Sequence, residues 1–76
     1  MSCKLPSLTA KELVRVALTT GFVFRRQAGS HAIYVCDSDK ARIVIPMHAG
    51  KTLKPKTLHG IIRDMKLTAE EFSNLL

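Results

Sequence analysis

Residues 22–46 read FVFRRQAGSHAIYVCDSDKARIVIP, and this stretch decides the fold. Three short runs rich in β-branched and aromatic residues are separated by two clusters of turn formers, Ala28-Gly29-Ser30 and Asp37-Ser38-Asp39-Lys40. Short strand-like runs joined by such links read as an antiparallel meander. The spacing predicts strands over Phe22–Gln27, His31–Cys36 and Ala41–Ile45, the last stopped by Pro46. Phe22 and Phe24 are expected on one face of the first strand. In the second, His31, Ile33 and Val35 alternate with Ala32, Tyr34 and Cys36, and Ile33 and Val35 read as core-facing.

Before this block, Leu8-Thr9-Ala10-Lys11-Glu12-Leu13 has the spacing of a capping box inside a hydrophobic staple. It opens a helix whose apolar set is read as Leu13, Val14, Ala17 and Leu18, ended by Gly21. After it, a loop from Met47 to Lys54 leads to Pro55, suited to a first helical position. Leu58, Ile61, Ile62 and Met65 follow at i, i+3, i+4 and i+7, an apolar stripe for the sheet. Gly60 interrupts that helix and is read as a place of close packing. Leu67-Thr68-Ala69-Glu70-Glu71-Phe72 repeats the cap-and-staple chemistry and opens a short last helix. The predicted fold class is therefore α+β, an α-β-β-β-α two-layer sandwich with a short C-terminal helix.

The 76 residues are expected to make one domain, residues 1–76. A chain this short buries only about 60% of its unfolded surface, so its core is small and chemistry belongs on a surface or shallow groove. Its two cysteines, Cys3 and Cys36, read as free thiols rather than a disulfide framework. No stretch approaches the ~18 apolar residues of a membrane span, and the protein is expected to be soluble and cytoplasmic.

Twelve Lys and Arg against six Asp and Glu give a net charge of +6, which favours a polyanionic partner. Between Lys40 and Arg63 there are six basic residues and no acidic one. Membrane binding is disfavoured, since no helix pairs a strongly basic face with bulky apolar anchors. Metal-free cleavage of RNA needs a group that accepts a proton near neutral pH, which histidine does with an ordinary pKa of about 6.5. His31 follows Gly29-Ser30, small residues beside which a phosphate can approach closely, with Arg25 and Arg26 on the partner strand. A strand-end histidine that merely packs is the competing reading. His48 lies in the basic loop, either as a phosphate contact or as a second proton-transfer group, or simply in solvent. His59 reads as surface. Lys51, Lys54 and Lys56 gather where the second helix begins, and its positive dipole end adds to their field. Tyr34 is available to stack a base if it faces the open side of the sheet. No His or Cys pair has zinc spacing and no carboxylates cluster for magnesium, so no metal and no cofactor is expected.

Gly29-Ser30-His31, the strand through Tyr34, Val44-Ile45-Pro46-Met47-His48-Ala49-Gly50-Lys51, Leu53-Lys54-Pro55 and Thr57-Leu58 together resemble the HicA toxins, from about Leu8 to Phe72. That resemblance implies a fold like the double-stranded-RNA-binding domain and an mRNA interferase activity. The family's catalytic histidine falls on His31, and a HicB antitoxin is the implied partner, covering the active site. Lys56 stands where family members often have Gly, and His59-Gly60 where a basic and a small polar residue are common. The leading expectation is a metal-independent endoribonuclease acting on mRNA. It has His31 as its catalytic residue, Ser30 and His48 in support, and Gly29, Arg25, Arg26, Lys51, Lys54 and Lys56 as RNA contacts. The alternative is a non-catalytic RNA-binding module of the same fold, which shares the surface but gives His31 no chemical role.

Overall fold

The structure is a computed structural model that describes residues 5–48 and 50–76; Cys3 and Ala49 lie outside them. Helix α1 spans Ala10–Thr19, strands β1, β2 and β3 span Val23–Ala28, His31–Cys36 and Ala41–Pro46, and helices α2 and α3 span Pro55–Asp64 and Ala69–Ser73. The strands form one antiparallel sheet in the order β1-β2-β3. The predicted α-β-β-β-α layout with a short last helix is the one observed.

Both expected capping boxes form. The Glu12 amide donates to the Thr9 hydroxyl at 3.3 Å and the Thr9 amide donates to the Glu12 carboxylate at 2.9 Å. Thr68 and Glu71 repeat this at 3.1 and 2.8 Å. The staple residues Leu8 and Leu13 are both buried, as is Phe72 of the second motif. The buried set of α1 is Ala10, Leu13, Val16 and Ala17. This corrects the expected stripe, because Val16 takes the place given to Leu18, which stays exposed. The α2 stripe is buried as predicted at Leu58, Ile61, Ile62 and Met65. Gly60 packs against nothing: a Cβ built there meets no atom within 4 Å. The close packing expected of it is absent.

The alternation of β2 is the reverse of the one expected. Ala32, Tyr34 and Cys36 join the hydrophobic cluster with Ile43, Ile45 and the helices, whereas Ile33 is buried outside it. Residues directly opposite in an antiparallel ladder share a face. Ile33 pairs with Arg26 and Val44, and His31 pairs with Ala28 and Pro46. Val35 pairs with Val23 and Arg42. These rows make up the open face, and Tyr34 lies on the other side, in edge contact with Phe24 at 5.6 Å between ring centroids. Tyr34 is thus a packing residue and cannot stack a base from the open face.

Helices α1 and α2 pack against β3, leaving β1 exposed along its whole length. Phe22 and Phe24 both lie on the helix side, yet only Phe22 is buried; Phe24 is 54% exposed at the uncovered edge. The register slips between Phe24 and Arg26, because Phe24 faces Tyr34 while Arg26 faces its neighbour Ile33. Arg25 is the extra residue of a β-bulge.

Candidate functional site

The turn that delivers His31 is set by glycine. Gly29 takes φ +61, the left-handed value required at the first position of a two-residue hairpin turn between Ala28 and His31. The Gln27 side-chain amide donates to the Gly29 carbonyl at 3.1 Å and steadies the turn. His31 then opens β2 on the exposed side of the sheet, so its imidazole meets solvent rather than the core.

Next to it, the loop after β3 is tied down at both ends. The Met47 amide donates to the Ser30 carbonyl at 2.6 Å, which fixes the hairpin turn against the start of the loop. The Leu53 amide donates to the Leu8 carbonyl at 2.7 Å, beside an isolated bridge between Thr9 and Thr52. Within the loop, the Lys51 amide donates to the His48 carbonyl at 3.2 Å.

These ties shape two adjoining cavities that share His48. One, of about 360 Å³, is lined by Pro46, His48, Lys51, Thr52, Leu53, Lys54 and Thr57. It begins at Pro46, the cross-strand partner of His31, and ends at the first turn of α2. There the N-cap is Lys54, whose side chain forms no capping bond, and Pro55 follows. The amides of the first turn therefore have no partner inside the helix and add their positive end to the lysine field. The second cavity, of about 500 Å³, is lined by Thr9, Ala10, Lys11, Met47, His48 and Gly50.

The structure thus brings His31, Ser30, His48, Lys51 and Lys54 into one neighbourhood. Arg26 stands on the same face of the sheet, in the row next to His31. Arg25 sits in the bulge, and Lys56 is exposed outside either cavity lining. His59 is exposed, as read from sequence. Thr57 and Lys11 are among the lining residues that the sequence reading did not place at the site. Thr57 lines the first cavity because the third position of α2 turns back toward the loop. Lys11 lines the second because the Leu8–Leu53 tie folds the start of α1 onto it. The capping box of α1 was legible, but nothing in the sequence announces that tie. Cys36 is buried, a free thiol with its sulfur 3.4 Å from the Ser38 hydroxyl. Among the described residues no three His, Cys, Asp or Glu side chains are grouped to hold a metal ion, and no helix is long and apolar enough to cross a membrane.

The fold and site define a small α+β chain with a basic, histidine-bearing corner. Residues 10–67 match the family model described as the HicA toxin of bacterial toxin–antitoxin systems, and the chain belongs to that family. Its role is that of a toxin, and membership implies an antitoxin partner. A comparison with curated proteins found no match.

Proposed function

We propose that this toxin is an endoribonuclease that cuts mRNA in the cytoplasm, with His31 as its catalytic base and a HicB-type antitoxin as its partner. The observation that supports this most directly is the position of His31, exposed at a glycine turn beside a cavity ringed by His48, Lys51 and Lys54. The imidazole takes the proton of a ribose 2′-OH, and the 2′-oxygen attacks the adjacent phosphorus. The bond to the 5′-oxygen of the next nucleotide breaks and that oxygen takes up a proton, leaving a 2′,3′-cyclic phosphate and a 5′-hydroxyl. Lys51, Lys54 and the first turn of α2 hold the backbone and offset charge gathering on the phosphorane. The helix–sheet layout is compatible with a fold like the double-stranded-RNA-binding domain. With few aromatic residues and none on the open face, recognition rests on the phosphate backbone and on shape.

The test is incubation of the purified chain with a mixed-sequence RNA in EDTA, beside His31→Ala. The variant is expected to keep its fold and its RNA affinity while losing about 10²–10⁴-fold in cleavage rate, as removal of a general base does. Equal cleavage by both proteins would remove His31 from the chemistry. Binding without scission by either would leave an RNA-binding module.

A further inference from the structure

The chemistry above draws on the first cavity and leaves the second without a role. That second cavity, of about 500 Å³, lies within the size at which proteins hold small ligands, about 300–1,000 Å³. Ala10 in its lining is buried, and Met47 is half-buried and packed on the hydrophobic cluster. Thr9 has its hydroxyl engaged, accepting from the Glu12 amide at 3.3 Å and donating to the Glu12 carboxylate at 3.1 Å. Among the described lining residues Lys11 alone carries a permanent charge, and an ammonium only donates. Two connections put this cavity beside the reaction. His48 lines both cavities, so a strand whose phosphate sits among Lys51 and Lys54 passes the mouth of the second. The Met47 amide is bonded to the carbonyl of Ser30, the residue before His31, so a wall of the cavity is fixed to the turn that carries the imidazole.

We propose that the second cavity is a base subsite that takes a guanine next to the cut, its ring against Ala10 and Met47 and its O6–N7 edge facing Lys11. The inference rests on the ribonuclease reading and adds which base the enzyme prefers. A second phosphate fits the cavity less well than a neutral base does. The Glu12 carboxylate is bonded to the lining residue Thr9, 2.9 Å from its amide, and sets a negative charge against that of Lys11. Met47 offers a ring the contact of a polarisable sulfur. Guanine presents two acceptors side by side, O6 and N7, and a lysine satisfies both. Adenine carries its N6 amino donor where O6 stands, which sets donor against donor. Cytosine has only an amino donor on that edge, and uracil keeps the single acceptor O4. Backbone contacts and shape bring the strand in, and this cavity reads one position of it.

The test is cleavage of a mixed-sequence RNA in EDTA by the full chain, with the cut ends read by sequencing, for the wild type, Lys11→Met and Lys11→Arg. Lys11 is exposed, so both variants are expected to fold. The wild type should favour guanine over adenine by roughly tenfold at one fixed position beside the cut, as a paired base edge does. Lys11→Met keeps an unbranched side chain and loses the donor. Its cleavage at guanine sites should fall about tenfold, toward the adenine level, with adenine sites little changed. Lys11→Arg should keep the preference. A wild type without preference for guanine, or a preference that survives Lys11→Met, would overturn the proposal while the ribonuclease reading stands. So would a loss in Lys11→Met that is equal at all four bases, which would make Lys11 a backbone contact only. If the wild type cuts no RNA, the ribonuclease reading falls and binding decides on the cavity. An oligoadenylate carrying one guanine should then bind about tenfold tighter than the all-adenine strand, in the wild type but not in Lys11→Met. Equal affinities would overturn the base subsite as well.

Discussion

Gly60 sits in the middle of α2, Pro55–Asp64, at a backbone conformation that any residue adopts. In a helix interior glycine is about 0.8–1 kcal/mol less favourable than alanine, because it gives up more freedom on folding. At many buried glycines that gain is cancelled by a clash. Here an added Cβ meets no atom within 4 Å, so the substitution carries neither a steric cost nor a new contact. Gly60→Ala should therefore stabilise the chain by about 1 kcal/mol, the propensity difference alone. For a domain of this size that corresponds to a rise in Tm of roughly 4–8 °C. Thermal unfolding followed by far-ultraviolet circular dichroism measures it directly. A Tm that is unchanged or lower would refute the reasoning, since it would mean that α2 at Gly60 is either not helical or not open. Cleavage by the variant should be unaltered, because Gly60 lines neither cavity.

Phe72 is fully buried and belongs to the hydrophobic cluster although α3 is only one turn long. Phe72→Ala should cost about 3–5 kcal/mol, measured by urea unfolding, a large part of the stability of so small a chain. The Glu12 carboxyl is held below the ordinary glutamate range, first by the Thr9 amide, then by the Thr9 hydroxyl, with a smaller contribution from Arg15. Because its folded pKa is the lower one, its contribution to stability is present above the unfolded value of about 4.3 and is lost as pH falls through the folded value. The Tm difference between wild type and Glu12→Gln should accordingly shrink as the solution is acidified below that range. Lys51→Ala and Lys54→Ala should each lower the slope of RNA affinity against salt by about one unit, with no preference for sequence; a slope unchanged in both would place the RNA elsewhere.

Much of the architecture is written in local chemistry. The two Thr-x-x-Glu boxes, Pro55 at the start of α2 and the α2 stripe of Leu58, Ile61, Ile62 and Met65 depend on a few neighbouring residues, and all appear where their spacing puts them. The faces of β2 were not legible for a physical reason. This strand is apolar on both sides, so Ile33 and Val35 outweighed Ala32, Tyr34 and Cys36 in a reading by alternation. The helices decide the matter by covering the side on which Ile43 and Ile45 lie. The same reversal puts His31 in the open, where the proposed chemistry requires it. At the site, Gly29-Ser30-His31 and the lysines were readable one by one. Their assembly with Lys11 and Thr57 was not, because it depends on the long-range ties from Ser30 to Met47 and from Leu8 to Leu53.

The bulge in β1 makes the length of the chain negotiable at one point. Phe24 and Arg26 face Tyr34 and Ile33, which are consecutive on β2, so Arg25 answers to no residue across the ladder. Deleting Arg25 would close the strand into a regular pairing and leave every other partner, from Val23 with Val35 to Ala28 with His31, where it is. The same deletion anywhere in β2 would turn half of that strand over and carry either His31 or the core side chains to the wrong side. The fold thus concentrates its tolerance for gained and lost residues on its outermost strand, upstream of the hairpin that aims the histidine. At that position a whole positive charge can come and go without any other residue changing its place.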